Sequence, residues 1–178
     1  TNPVEPYGTS KLISELLIRS YSINYHTNFI IFRFGNTFGP NQAPGLFIPS
    51  IISKVISGEN VIKIGNTSAY RNFVYIDDVI DAYLAVVDNK FANNNTFNIS
   101  AYNVKIDYVL KKILFFASKL LKRKISIVKD ETLYRKSEEK AIKFVLNCDN
   151  AKKILKWKPK QSFDSNLENT FKHSLESK

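Results

Sequence analysis

The sequence predicts an α/β protein in which parallel strands stand beside a smaller mixed lobe. Short runs of β-branched and aromatic residues alternate with longer segments that carry apolar residues at helical spacing. One run, residues 28–34, is almost continuously apolar, as expected of a parallel strand buried on both faces. With 178 residues, 44% of them hydrophobic and 13% aromatic, the chain can bury a core.

The order of the elements follows from this alternation. Segments with apolar residues every three to four positions predict helices over residues 7–25, 47–56, about 77–88, 107–121, about 150–156 and 166–175. Short apolar runs between them predict strands over residues 28–34, 61–64, 73–76, 96–99 and 125–128. Residues 35–45, which hold three glycines and two prolines, are predicted to form a loop.

Particular residues mark the ends of these helices. Pro6 suits the first turn of the first helix, because a proline lacks only a backbone donor that has no partner there. Gly58 is placed to end the second helix in the left-handed conformation. Asp77 or Asp78 is predicted to cap the third helix, rather than to form an acidic catalytic pair.

Composition excludes several classes of protein. One cysteine, Cys148, cannot form a disulfide within the chain, which favours a reducing, cytoplasmic location and a packing role for this residue. No apolar run approaches the roughly 20 residues of a membrane-spanning helix, and no signal-peptide pattern opens the chain. Without such a run, no membrane partner is predicted. His26 and His173 lack the spacing of metal ligands, so no metal site is predicted either.

The positive charge is concentrated in the second half of the chain. Residues 1–89 carry six Lys or Arg and seven Asp or Glu, whereas residues 90–178 carry 20 and nine. A basic half suggests nucleic-acid binding, but Lys outnumbers Arg 21 to five, and Arg is the side chain that recognises phosphates and bases in fork geometry. We therefore expect solvated helix faces and no nucleic-acid partner.

The sharpest local motif is Tyr7-Gly8-Thr9-Ser10-Lys11, at the start of the first predicted helix. Positions i and i+4 of a helix face the same way, about one turn apart. An ammonium group one turn away favours the phenolate form of a tyrosine, which can then take a proton from a hydroxyl. Because Tyr and Lys also fall four apart by chance, the pair needs support from the rest of the chain.

Three further segments supply that support: Arg33-Phe34-Gly35-Asn36-Thr37-Phe38-Gly39-Pro40, Arg71-Asn72-Phe73-Val74-Tyr75-Ile76-Asp77-Asp78, and Leu155-Lys156-Trp157-Lys158-Pro159. With the Tyr–Lys pair, and in this order, they resemble the YxxxK, RxxNxxGP, RDFxxVDD and LxWxP segments of the extended short-chain dehydrogenase/reductase superfamily. More narrowly, the chain resembles its NAD-dependent sugar-nucleotide epimerases and dehydratases over nearly its whole length. The implied fold is the C-terminal part of a Rossmann-type parallel sheet plus a small mixed substrate-binding lobe.

The resemblance implies a catalytic and cofactor-binding set. Tyr7 matches the catalytic tyrosine and Lys11 its lysine partner, which also holds a ribose hydroxyl of NAD or NADP. Phe34 and Gly35 match the backbone stretch that passes the nicotinamide. These four residues are the expected cofactor-binding residues.

It also implies a set that binds a nucleotide-diphosphate sugar. Asn36 matches an asparagine that touches the diphosphate or the sugar, and Arg71 matches the arginine that pairs with the diphosphate. Asn72 departs from the aspartate that usually follows that arginine. Arg135 is the nearest match to a second phosphate-binding arginine, although the glycine-bearing motif around it is missing.

Some family features are not found in the sequence. The glycines at 8, 35, 39, 45, 58 and 65 match neither GxGxxG nor GxxGxxG, which follow the first strand of such a fold. We therefore expect this chain to be the C-terminal half of an enzyme that is a homodimer when complete. Residues 1–45 and about 70–100 are expected to belong to the Rossmann-type domain, and residues about 46–69 and 101–178 mainly to the nucleotide-sugar-binding lobe.

The reaction stays open at this point. The loop Gly39-Pro40-Asn41-Gln42 looks more like that of general epimerases, whereas the segment ending Lys160-Gln161-Ser162-Phe163 looks slightly more like that of CDP-glucose 4,6-dehydratases. The alternative class is a non-catalytic protein that binds a nucleotide sugar or an interaction partner of its basic surface. On its own, this chain is expected to be inactive.

Overall fold

The computed structural model describes residue 3, residues 5–133 and residues 144–177, and it confirms the predicted α/β architecture. The helices are α1 (Pro6–Tyr25), α2 (Phe47–Ser57), α3 (Ile76–Leu84), α4 (Ile106–Leu121) and α5 (Phe163–Glu176), with a short π-helix at Ala151–Leu155. The strands are β1 (Ile30–Phe34), β2 (Asn36–Phe38), β3 (Val61–Ile64), β4 (Tyr70–Tyr75), β5 (Asn95–Ile99), β6 (Tyr102–Lys105) and β7 (Ser126–Lys129).

Within these ranges the strands form three small sheets. Strand β1 pairs in parallel with β5, and β3 pairs in parallel with β7. Strand β2 pairs in parallel with β4, whose other edge pairs with β6 in the antiparallel sense. Gly35 carries the chain from β1 to β2, so the end of one sheet adjoins the start of the next.

Two short strands were not predicted from the sequence. Strand β2 lies inside the segment expected to be a loop, and β6 follows β5 after two residues. Strand β2 has three residues and β6 has four, so neither is long enough to show a clear apolar alternation. Their pairing with β4 makes them strands, which is a tertiary effect.

The prediction for the start and end of α3 was wrong. The helix begins at Ile76 and ends at Leu84, and its N-cap residue is Tyr75, which makes no side-chain capping bond. Asp77 and Asp78 lie in the first turn, where a negative charge favours the helix dipole. Asp78 is nevertheless only 2% exposed, because the segment after the π-helix packs over it.

The apolar side chains form two cores. The larger one joins α2, α4 and α5 to the β3 strand, and includes Val55, Ile62, Ile113, Leu167 and Phe171. The smaller one joins β4, β5, α3 and the π-helix, and includes Val74, Ala82, Phe97, Ala151 and Trp157. The division into a Rossmann-type domain and a sugar-binding lobe stays a prediction.

Helix α1 is held against the sheet by polar contacts. The Arg33 guanidinium donates to the Glu15 carboxylate at 2.5 and 2.7 Å, and this bond lowers the pKa of Glu15. Arg19 Nη2 donates to Thr96 Oγ1 at 2.7 Å. Among the described residues α1 buries none of its own side chains, and Leu17 and Ile23 are 65% and 75% exposed.

The buried Asp78 fastens the segment after the π-helix to α3. Its Oδ1 accepts from the Lys160 backbone N–H at 3.1 Å, and its backbone carbonyl accepts from Trp157 Nε1 at 2.8 Å. Its Oδ2 has no partner among the described residues. Burial therefore raises the pKa of Asp78, and the neighbouring carboxylates Asp81 and Asp77 add to the effect.

This raised pKa gives a testable pH dependence. The folded chain binds the Asp78 proton more tightly than the unfolded chain does, so this contribution to stability is full below the unfolded pKa. It is lost as the pH rises through the folded value. Asp78→Asn should therefore reduce the fall in the free energy of unfolding between about pH 4 and about pH 7, measured by urea unfolding. Asp77→Asn, in the same helical turn but exposed, should reduce that fall less than Asp78→Asn does, because the Asp77 charge supplies only a minor part of the shift. Equal slopes for both variants would contradict the assignment.

Candidate functional site

A cavity of about 470 Å³ opens where β2, β4 and the first turns of α2 and α4 meet. Its polar lining comes from Asn36, Thr37, Gln42, Asn66 and Arg71. Its apolar lining comes from Leu46, Phe47, Ile64, Phe73, Ile106 and Leu133, among others. A concave site with an apolar wall and a few convergent polar groups suits a small-molecule ligand.

Two of the predicted substrate-binding residues meet in this cavity. Asn36 begins β2 and Arg71 follows the first residue of β4, and the parallel pairing of these strands brings the two side chains to one site. Arg135, the third, lies outside the described residues, and Leu133 lines the cavity two positions before it.

The contacts of Asn36 and Arg71 show how the site is held. Asn36 Nδ2 donates to the Asn72 backbone carbonyl at 3.1 Å. Arg71 Nη1 donates to the Tyr70 carbonyl at 3.1 Å, and the side chain is half-buried. A guanidinium at a partly desolvated cavity wall is suited to bidentate contact with a phosphate or carboxylate.

Sequence reasoning missed Gln42 and Asn66. Gln42 Nε2 donates to the Thr37 carbonyl, and Asn66 Oδ1 accepts from the Ser68 backbone N–H at 2.9 Å. Each residue lies in a connection between elements, where binding residues are common, and that position was the available sign. Their convergence depends on how β2 and β3 are arranged, which no local pattern shows.

Tyr7 and Lys11 lie together on the first turns of α1. The Lys11 ammonium stands over the Tyr7 ring, 5.3 Å from the ring centroid, as the four-residue spacing requires. The Tyr7 side chain is highly exposed, at 73%. Neither residue lines the cavity that holds Asn36 and Arg71.

Phe34 is the last residue of β1, and Gly35 follows it. The Phe34 ring stacks on Phe32, with centroids 5.5 Å apart, and contacts Tyr83 in a tilted arrangement, with centroids 5.7 Å apart. Gly35 donates its N–H to the Ile99 carbonyl at 2.9 Å, and a Cβ at this position would lie 2.9 Å from the Asn72 carbonyl oxygen. Close packing therefore accounts for glycine here, and contact with a cofactor stays a prediction.

Other titratable groups have structural partners. The Cys148 thiol is buried and donates to the Ser100 carbonyl at 3.4 Å, and burial raises its pKa.

In the part of the chain that the structure describes, no three His, Cys, Asp or Glu side chains are grouped to hold a metal ion. Nor is any helix there both long and apolar enough to span a lipid bilayer.

The comparison with known proteins defines the class. The model of the NAD dependent epimerase/dehydratase family matches residues 1–100, which is more than half of the chain. The chain therefore belongs to this family.

Among the individual relatives are both a dehydratase and an epimerase. The dTDP-glucose 4,6-dehydratase of Escherichia coli is 28% identical over 99% of this chain and 50% of its own length. The putative UDP-glucose 4-epimerase of Methanocaldococcus jannaschii is 28% identical over 89% and 49%. The chain thus spans about half the length of the curated relatives it matches.

A solved structure shows the same fold. RMD from Pseudomonas aeruginosa, complexed with NADPH, superposes with a TM-score of 0.86 at 21% identity, over 99% of this chain and 58% of that one. At this identity the likeness shows the fold alone. The Rossmann-type α/β architecture expected from the sequence is thereby supported.

Proposed function

We propose that this chain is the C-terminal part of an NAD-dependent nucleotide-sugar epimerase or 4,6-dehydratase. The observation that carries the proposal is the cavity in which Asn36 and Arg71 converge, in a chain that belongs to the epimerase/dehydratase family. The cavity volume of about 470 Å³ is in the range of small-ligand sites.

The substrate would bind through its diphosphate and sugar. Arg71 offers a half-buried guanidinium to the diphosphate oxygens, and Asn36 offers an amide beside it. The apolar wall formed by Leu46, Phe47 and Ile64 suits the face of a nucleobase or sugar ring. Arg135 is proposed as a second diphosphate-binding residue.

Tyr7 would serve as the acid/base. The phenolate takes the proton of a sugar hydroxyl while the C–H bond of the same carbon breaks, and the phenol returns the proton when that carbon is reduced again. Lys11, whose ammonium lies over the Tyr7 ring, is proposed to bind a ribose hydroxyl of the cofactor. Both side chains are exposed, which leaves them accessible to a cofactor.

When bound, NAD or NADP would accept a hydride from the sugar carbon and later give it back. Phe34 and Gly35 are proposed to border the nicotinamide. The sequence contains no glycine-rich turn to hold the pyrophosphate, so we propose that this part of the cofactor is bound outside these residues.

Epimerisation and dehydration are both proposed as candidate reactions of the complete enzyme. The relatives described above are named for dTDP-glucose and UDP-glucose, so either nucleotide is proposed for the substrate, and the CDP-glucose likeness of the C-terminal segment rests on the sequence alone. The complete enzyme is proposed to be a cytoplasmic homodimer. The exposed apolar residues of α1 support a surface that is covered in that assembly.

Calorimetric titration tests the proposal. The 178-residue chain should bind UDP-glucose or dTDP-glucose saturably and should not bind NAD with micromolar affinity. Turnover by the chain alone is not expected. Failure to bind either nucleotide sugar, with the fold intact by circular dichroism, would favour the alternative of an interaction protein. Micromolar NAD binding would show that the pyrophosphate site lies within these residues.

A further inference from the structure

Asn72 stands where the family pattern resembled by this chain has an aspartate, and its side chain uses both halves of the amide. Its Nδ2 donates to the Phe144 carbonyl at 2.8 Å. Its Oδ1 accepts from the Leu146 backbone N–H at 3.3 Å and from Asn103 Nδ2 at 3.2 Å. These partners fix the orientation of the amide. If it were reversed, its oxygen would face the Phe144 carbonyl oxygen, and its NH2 group would face the Leu146 N–H and the Asn103 NH2 group.

A carboxylate could accept the two bonds that Oδ1 accepts but could not donate to the Phe144 carbonyl. An ionised aspartate has only acceptors, and at this position one oxygen would face the Phe144 carbonyl oxygen without a hydrogen between them. Asn103 Nδ2 also donates to that carbonyl, at 2.9 Å. We call the side chains of Asn72 and Asn103, with the Phe144 carbonyl and the Leu146 N–H, the amide clasp. It joins β4 and β6 to the segment of residues 144–147.

The amide clasp also reaches the cavity. The backbone carbonyl of Asn72 accepts a hydrogen bond from Asn36 Nδ2, and Arg71 is the residue before Asn72 in β4. The same carbonyl lies against Gly35, where there is no room for a Cβ. A shift of β4 at Asn72 would therefore move both side chains that are proposed to bind the substrate.

We propose that Asn72 is a positioning residue for the nucleotide-sugar site, and that its amide clasp holds Asn36 and Arg71 in the geometry that binds the ligand. The inference rests on the proposed function of the cavity. Asn72 does not line the cavity itself, so its effect on binding passes through Asn36 and Arg71.

Asn72→Asp is the main test, because it keeps the shape of the side chain and removes its donor. The variant loses the hydrogen bond to the Phe144 carbonyl and leaves a carboxylate oxygen facing that carbonyl oxygen. It should therefore weaken binding of UDP-glucose or dTDP-glucose by the chain about three- to tenfold. Asn98→Asp is a matched control, since Asn98 Nδ2 donates to the Asn147 carbonyl of the same segment at 2.9 Å. The control should change the affinity less than about twofold.

A double-mutant cycle separates positioning from general damage. In an Asn36→Ala background the effect of Asn72→Asp on affinity should become smaller, because one of the two side chains through which Asn72 acts is gone. Additive effects, or an equal loss in Asn98→Asp, would overturn the positioning role. If Asn72→Asp does not fold, Asn103→Ala removes one donor of the amide clasp and should weaken binding in the same direction.

Hydrogen exchange at the Leu146 amide reports on the amide clasp independently of any ligand. Exchange should become faster in Asn72→Ala, which removes the oxygen that accepts this N–H, and stay unchanged in Asn36→Ala. Faster exchange with no nucleotide-sugar binding by the unsubstituted chain would overturn the proposed function, and with it the positioning role, while leaving the amide clasp itself established. Unchanged exchange would show that the amide clasp does not form.

Discussion

Replacing Tyr7 with phenylalanine should lower kcat about 10²–10⁴-fold in an active enzyme that contains this chain, the usual contribution of a positioned acid–base group. The substitution removes the hydroxyl and keeps the ring over which the Lys11 ammonium lies. Because the Tyr7 side chain is 73% exposed, the free energy of unfolding should change by less than about 0.5 kcal/mol. Steady-state kinetics and urea unfolding of the same preparations measure both quantities.

Tyr21→Phe is the matched control for this prediction. Tyr21 lies on the same helix, is 58% exposed, and loses the same atom. Its kcat should stay within about twofold of the unsubstituted enzyme. Lys11→Met should also slow turnover, because the ammonium proposed to bind the ribose hydroxyl of the cofactor is lost. A Tyr7→Phe enzyme with kcat within a few-fold of normal would remove Tyr7 from the chemistry.

Much of the fold could be predicted because local features decide it. Strand β3 has the bounds predicted for it, since its apolar run follows directly on the helix that Gly58 ends. Gly58 has φ 108° and donates to the Lys54 carbonyl, as a helix-ending glycine should. Helix α1 likewise begins at Pro6. Each of these elements is specified within a few residues.

The short strands and the start of α3 depend on distant residues, and local patterns could not show them. Strand β2 is a strand because β4 lies beside it. Asp78 is buried because the Lys160 N–H and the Trp157 indole pack over it from about 80 positions away. A helix-capping role for Asp78 was a sound local inference that this tertiary contact overrode.

The candidate site also contains residues that local patterns predict and residues that they do not. The sequence motifs predicted Asn36 and Arg71, and the parallel pairing of β2 with β4 brings these two residues to one cavity. Gln42, Asn66 and the amide clasp around Asn72 carry no local pattern, since they depend on contacts between separate segments. The departure from aspartate at Asn72 was visible in the sequence, but its partners, Phe144 and Asn103, were not.

Arg71 gives the largest predicted effect on substrate affinity. Arg71→Ala should weaken nucleotide-sugar binding by about 2–4 kcal/mol, the range for removing one partner of a buried charge pair, or about 30- to 1,000-fold in Kd. The diphosphate would lose its charge partner at a cavity wall that is partly shielded from water. Arg71→Lys keeps the charge without the fork, so an intermediate loss is expected.

The comparison with Arg19→Ala makes the Arg71 prediction specific. Arg19 is another half-buried arginine with a described hydrogen bond, to Thr96, and it does not line the cavity. Its loss should leave nucleotide-sugar affinity within about twofold, because its charge is not directed at the ligand. NAD affinity, measured in the active enzyme, should barely change in Arg71→Ala, since the proposed diphosphate contact belongs to the sugar nucleotide. Equal nucleotide-sugar affinities for the two alanine variants and the unsubstituted chain would mean that Arg71 serves only the packing of β4.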